Sequence, residues 1–255
     1  MRTRPTVGSD DRAVSDVVGY VLIFSLITLS IGAITVGGFS TLQDRQDAER
    51  INNAERALDV FATNVENVYR GGAPSRATEM RLSGGTLRYG EQINITVADA
   101  DNPDTNITVR IDPIIYEDGR TKLVYINGAI LRSDSNSAVM LREPPFRLDS
   151  QRVLMPLIAT GGVRETKSIS AEGTLRIRIR AAQPTAIPVS GMSSTNTVDL
   201  TVDSPRSDAW QRYFERQVEL DTTNAEIRND GRTLRINNVE HVSTPLSPIE
   251  VRLER

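Results

Sequence analysis

The chain has 255 residues, with 30 Lys+Arg against 33 Asp+Glu and a formal net charge of -3. Zero Cys excludes a disulfide scaffold, an iron–sulfur site and a thiol nucleophile, and the single His, His241, excludes poly-His metal sites. The near-balanced charge argues against nucleic-acid binding by the domain as a whole, and the length fits one domain or two small ones.

The first element in chain order is apolar. Val17 to Phe39 carries no charged residue, and roughly 20 apolar residues suffice to span a bilayer. Apolar side chains cover every helix face here, whereas a helix lying on a soluble core shows one stripe. The run is too long for the apolar region of a secretory signal peptide, and residues 33–38 offer no A-x-A cleavage site. A retained transmembrane helix is therefore expected. Ala33 and Gly37 form a small-xxx-small pair that lets another helix approach closely. Arg2, Arg4 and Arg12 precede the span while Arg45 and Arg50 follow it, so the basic residues leave orientation nearly even. The short tail is expected on the cytoplasmic side. The sequons at Asn94 and Asn106, both in the large C-terminal part, agree with an exterior location.

The stretch Asp11-Arg12-Ala13-Val14-Ser15-Asp16-Val17-Val18-Gly19-Tyr20-Val21-Leu22 resembles the N-terminus of archaeal, in particular haloarchaeal, type IV pilins and pilin-like surface proteins with a class III signal peptide. The resemblance covers about residues 10–40. It implies that a prepilin-type peptidase recognises Arg12 and Ala13 and cuts before Val14, leaving the apolar helix on the mature chain. The arginine-rich composition, with Lys122 and Lys167 as the only lysines, fits a salt-loving source. Two departures stand out. Asp16 occupies a position where haloarchaeal pilins usually carry Pro, and Val18 stands where bacterial pilins carry Glu. An apolar helix of this kind is stable in lipid because its backbone bonds are internal. It can leave lipid where other apolar helices replace the acyl chains, as in a filament core.

Residues 40–72 read as a helical stalk. Ile51, Ala54, Leu58, Phe61, Val65 and Val68 are spaced 3, 4, 3, 4 and 3, a seam of about two and a half heptads. Gly71-Gly72 and Pro74 end it. The seam serves either contact with the chain's own exterior domain or a coiled coil between chains. The first fits better, since sustained coiled coils need three or four heptads.

From residue 78 the pattern changes to period 2. Ile93-Ile95-Val97, Ile107-Val109-Ile111, Leu175-Ile177-Ile179, Val198-Leu200-Val202 and Ile249-Val251-Leu253 alternate with polar residues, and further strands are expected at 122–131 and 138–142. Residues 225–228 and 233–237 read as a hairpin across Asp230-Gly231. One amphipathic helix interrupts the strands, with Trp210, Tyr213, Phe214, Gln217 and Val218 on one face and Ser204-Pro205 as its cap and first turn. Residues 181–194 read as a long surface loop, and the glycines at 84–85 and 161–162 as turn glycines. The predicted fold is α+β. A leader (1–13), a transmembrane helix (14–39) and the stalk (40–72) precede an extracellular, mainly antiparallel, β-sandwich-like domain (73–255).

Two clusters and one lone residue are candidate sites. Asp99, Asp101 and Asp104 suit a turn around Pro103 or an oxygen-rich Ca²⁺ loop, the turn fitting better because the calcium-loop spacing fails at Pro103 and Asp104. Arg176, Arg178 and Arg180 lie on one strand face, and pairing with carboxylates of adjacent strands fits better than binding a polyanion. His241 has no Cys or His companion in sequence. No nucleotide or hydrolase motif is present. The expectation is a membrane-anchored, pilin-like surface protein, a minor subunit of a type IV pilus-like assembly. It is not an enzyme and needs no cofactor or metal. Its partners would be the membrane, the processing peptidase and other pilin-like subunits, with no nucleic acid. The alternative is a surface-anchored binding or adhesion module that never polymerises.

Overall fold

A computed structural model describes residues 10–135, 137–149, 152–162, 168–182, 196–220 and 224–254. Two compact units divide at Glu49/Arg50. Helix α1 is Asp10–Tyr69. The strands that follow are β1 (Ser75–Tyr89), β2 (Ile93–Asp99), β3 (Asn106–Ile111), β4 (Ile114–Asp118), β5 (Thr121–Ile126), β6 (Ala129–Asp134), β7 (Ser137–Arg142) and β8 (Arg147–Leu148). Then come β9 (Arg152–Leu154), β10 (Leu157–Gly162), β11 (Ser168–Ala181), β12 (Thr197–Asp203), helix α2 (Ser207–Glu219), β13 (Ala225–Arg228), β14 (Thr233–Asn237), β15 (His241–Ser243) and β16 (Leu246–Glu254).

The unit from Arg50 onward is built on three sheets. The largest has eight strands in the order β10-β16-β11-β1-β4-β5-β6-β7, and a second has five in the order β13-β14-β12-β2-β3. The third joins β15, β9 and β8. Pairing is antiparallel except for β10 with β16 and β15 with β9. The chain is thus α+β with mostly antiparallel sheets, as expected.

Two apolar cores flank the large sheet. One joins Ile51, Leu58, Phe61, Val65 and Val68 of α1 to Met80, Tyr116, Tyr125, Ile177, Val251 and other residues of one sheet face. The other joins Ile115, Val124, Ile126 and Leu131 to β2, β12, β14 and α2. Strands β4, β5 and β6 are therefore buried on both faces, which explains their near-continuous apolar runs, Ile114–Tyr116 and Leu123–Ile126. Strands β11 and β16 are buried on one face only, and there the alternation is clean.

The single strand expected over 122–131 is two strands joined at Asn127-Gly128, where φ is 48° and 84°. Asn-Gly with both residues at positive φ makes the two-residue hairpin turn whose twist matches its strands. Asn127 is fully buried, and its Oδ1 accepts from the Ile158 N–H at 2.6 Å. The glycines read as turns lie inside strands. Gly84 and Gly85 form a bulge in β1, where the register shifts between Ser83 and Thr86. Gly162 ends β10, and a Cβ there would collide with the Tyr89 ring, whose hydroxyl donates to the Val251 carbonyl at 2.8 Å. Burial, with the charges of Asp112 and Glu250, pushes that hydroxyl's pKa up to about 12. Gly162→Ala should therefore destabilise the protein by about 1–3 kcal/mol through overpacking, read as a lower thermal midpoint; an unchanged midpoint would contradict the close packing.

Helix α2 begins two residues later than the Ser204-Pro205 cap suggests. Ser204 Oγ accepts from the Arg206 N–H in the preceding turn, and Arg206, at the N-cap, makes no side-chain cap bond. The buried stripe is otherwise as read, with Trp210, Tyr213 and Phe214 in mutual ring contact. Of the expected surface loop 181–194, Ala181 ends β11, and residues 183–194 lie outside the described residues.

Candidate membrane-anchoring segment and surface sites

The N-terminal unit holds the one segment, among the described residues, long and apolar enough to cross a membrane: Val17–Thr35, with a mean hydropathy of 2.3. Every side chain in it is exposed, Gly19 alone being half-buried. Three of its hydroxyls are satisfied locally. Thr28, Ser30 and Thr35 donate to the carbonyls of Phe24, Leu26 and Ile31 at 2.8, 2.8 and 2.7 Å. A hydroxyl that bonds one turn back in its own helix presents no unmet donor to hydrocarbon. Tyr20 stacks on Phe24 at 6.4 Å between ring centroids. Ala33 is exposed on this segment. The side chains of Arg12, Ala13 and Val14, and position Gly37, lie outside the described ones, although all four fall within the α1 backbone.

In the larger unit, the seam residues Ile51, Leu58, Phe61 and Val65 are occupied. All are buried against the eight-stranded sheet, and Phe61 meets Tyr125 edge-to-face at 5.0 Å. Beside the seam runs a polar row, Asp59, Thr63 and Glu66, spaced i, i+4, i+7. Arg142 of β7 reaches all three, at 2.8 Å to Asp59 Oδ1, 3.1 Å to Thr63 Oγ1 and 3.0 Å to Glu66 Oε2. The row was visible in the sequence; its partner, about 80 residues on, was not. Arg142 also lines a pocket of about 250 Å³ with Glu66, Tyr69, Arg70, Phe146 and Arg147. Most of its charges are cross-paired, Arg70 with Glu66 and Arg142 with Glu66. The Tyr125 hydroxyl beneath is fully buried and lacks a well-formed hydrogen bond, the Gly128 N–H facing it without completing one.

A second contact that the sequence did not reveal protects a sheet edge. Strand β7 ends the eight-stranded sheet, and there Asp208 Oδ2 of α2 accepts from the Ala138 N–H at 2.8 Å while Arg212 donates to the Ala138 carbonyl. Side chains thus complete part of an edge that would otherwise pair with another chain. Burial alone raises the Asp208 pKa, but hydrogen bonds from Ala138 and Arg212, with the charge of Arg212, hold it below the usual carboxylate range. Asp208→Ala should cost about 1–2 kcal/mol, because it strands a buried N–H. A carboxylate depressed on folding stabilises above its unfolded pKa and loses that contribution as pH falls through the folded value. The stability gap between wild type and Asp208→Ala should therefore narrow below about pH 4, which urea unfolding at several pH values would measure. A gap independent of pH would refute the assignment.

The sequons lie on the outer face of the five-stranded sheet. Asn94 is half-buried in mid-sheet, between Asp203 of β12 and Arg110 of β3 in register. Asn106 is exposed at the start of edge strand β3, where its Nδ2 donates to the Pro103 carbonyl at 2.9 Å. The sequon threonines, Thr96 and Thr108, share a hydrogen bond of 2.9 Å. In the 99–104 loop, Asp99 Oδ1 accepts from the N–H groups of Asp101 and Asn102 at 2.9 and 3.2 Å, an Asx turn. Among the described residues no three His, Cys, Asp or Glu side chains converge as a metal site. His241 is exposed on β15, in register with Arg152.

The arginine row of β11 points away from the α1 core. Arg176 pairs with Glu79 of β1 at 2.8 Å and Arg178 with Glu254 of β16 at 3.4 Å. Arg180 is exposed and has no ion pair or hydrogen bond among the described residues. The pairing expected for the row thus holds for two of its three members.

No curated protein and no solved structure matches the chain. One family does, over residues 12–253, a span that takes in the apolar segment and all three sheets. The chain belongs to that family, described as a family of unknown function (DUF7289).

Proposed function

We propose that this protein is a membrane-anchored, pilin-like cell-surface structural protein of archaeal, salt-loving origin, and a minor subunit of a type IV pilus-like assembly. A prepilin-type peptidase removes residues 1–13 between Ala13 and Val14. The apolar helix stays on the mature chain as a single-pass anchor, and the sandwich-like β-rich part faces the exterior as a structural, non-catalytic element. The observation that carries this reading is the exposed apolar segment Val17–Thr35, which begins three residues after the Arg12-Ala13-Val14 sequence. A helix with apolar groups on every face is stable only in lipid or among other such helices. The family match spans the same layout, beginning at Arg12 and taking in the apolar segment together with the sheets.

Intact-mass measurement of the protein extracted from membranes of its native host tests the proposal. A mature chain beginning at Val14 is expected. A chain that retains Met1, or that begins after the apolar segment, would refute processing by this route.

The burial of Ile51, Leu58, Phe61 and Val65 within their own unit favours a second reading, a surface-anchored adhesion module that does not polymerise. Those residues are consumed internally and offer no seam to a neighbouring chain. The two readings separate in a shearing experiment: a pilus subunit appears in the sheared filament fraction, and an anchored module stays with the membrane.

A further inference from the structure

The outer face of β11 and β16 carries positive charge that its own strands do not neutralise. Ile177, Ile179, Val251 and Leu253 are buried on the opposite face, so strand alternation holds Arg176, Arg178, Arg180 and Arg252 outward. In the antiparallel register Arg178 stands directly opposite Arg252. Like charges in that position destabilise a sheet. Glu250 is the register partner of Arg180, yet its Oε1 is taken by Arg252 Nε at 2.6 Å. On the other side, β1 places only Ser75 beside Arg180 and Ala77 beside Arg178. Among the described residues, the carboxylates facing Arg178, Arg180 and Arg252 on these two strands are Glu250 and Glu254, and Arg180 is the member of the three that forms no ion pair with either. Ser75, Arg178, Arg180, Glu250 and Arg252 line a depression of about 280 Å³. This positive facet sits on a chain whose net charge is -3.

We propose that this facet is a docking surface for an acidic polypeptide segment in extended conformation. Alternate arginines on a strand lie about 6.8 Å apart, the same interval as alternate side chains of an extended peptide. Asp or Glu at every second position of such a peptide meets Arg178 and Arg180 in turn, and a guanidinium donates two parallel N–H bonds to a carboxylate. A nucleic acid fits less well. The outward residues of β1, β11 and β16 at this site include no aromatic ring on which a base could stack, and Glu250 and Glu254 interrupt a phosphate track. The inference does not depend on whether the protein enters a filament.

Fluorescein-labelled poly-L-glutamate, titrated into the full-length protein in detergent and followed by fluorescence anisotropy, tests it. Binding that weakens as salt is raised is expected. The double variant Arg178→Ser/Arg180→Ser should weaken it about tenfold, the size expected for two exposed charge contacts. Arg110→Ser/Arg120→Ser removes the same charge from exposed positions elsewhere and should leave the affinity within about twofold. Arg180→Glu alone, at an exposed side chain, should weaken binding as well, and thermal melting checks that each variant is folded. The proposal is overturned if wild type does not bind, if both double variants weaken binding equally, or if oligothymidylate binds more tightly than poly-L-glutamate.

Discussion

Replacing Leu26 and Leu29 together with aspartate should release this protein from the membrane. Both lie in the middle of Val17–Thr35, and both are more than 60% exposed. No core within this chain therefore masks their contribution, and only lipid or other apolar helices reward it. Near the centre of a spanning helix, exchanging Leu for Asp costs about 3–4 kcal/mol, and two such changes about 6–8 kcal/mol. The double variant should leave the carbonate-resistant membrane fraction and appear in the soluble or aggregated fraction. Leu26→Ile with Leu29→Ile keeps the apolar area and should remain integral. If the aspartate variant stays in the membrane as firmly as wild type, the anchoring role is wrong, whatever the fate of the leader.

The second large effect is expected at Phe61. Its ring is fully buried between α1 and the eight-stranded sheet and packs edge-to-face on Tyr125 with an interplanar angle of 82°. Phe61→Ala should destabilise the protein by about 3–5 kcal/mol, from lost transfer energy, the cavity left behind and the lost ring contact. That is a large share of the 5–15 kcal/mol, roughly, that holds a typical domain folded. Val60 is the control. It is the adjacent residue on the same helix, 54% exposed, and Val60→Ala should change stability by less than about 0.5 kcal/mol. Urea unfolding of both variants, followed by circular dichroism in detergent, compares them. Equal effects would mean that the seam does not hold the helix to the sheet.

Much of the architecture could be read from single residues. The period-2 runs at Ile93–Val97, Leu175–Ile179, Val198–Val202 and Ile249–Leu253 are strands, and the apolar members of each are buried. The 3-4 spacing from Ile51 to Val68 is a helix whose seam is inside its own unit. The differences between pattern and structure are equally local. Gly161-Gly162 resembles a turn until Tyr89 is seen crossing over Gly162. The run at 122–131 resembles one long strand because the Asn127-Gly128 turn sits between strands apolar on both faces, and two-sided burial erases the alternation that would mark its ends.

The surface sites were less legible. Arg142 lies about 80 residues from the α1 row that it joins, and Asp208 about 70 from the strand edge that it completes. Neither contact leaves a local pattern. The arginine row of β11 was plain in the sequence, but its surplus of charge depends on Arg252 standing opposite Arg178 and on Ser75 and Ala77 filling the other side.

Side-chain order along the chain thus sufficed for the type of the strongly periodic elements, the face each of them buries and the presence of an apolar span, because helix and strand periods and bilayer thickness act on neighbouring residues. Which strands adjoin, where the sheet edges fall and which charges remain uncompensated were settled by the folded sheets. Alternation says which way a residue points and nothing of what stands beside it. That neighbour is selected by the combined burial of elements such as β1 and β11, far apart in the chain.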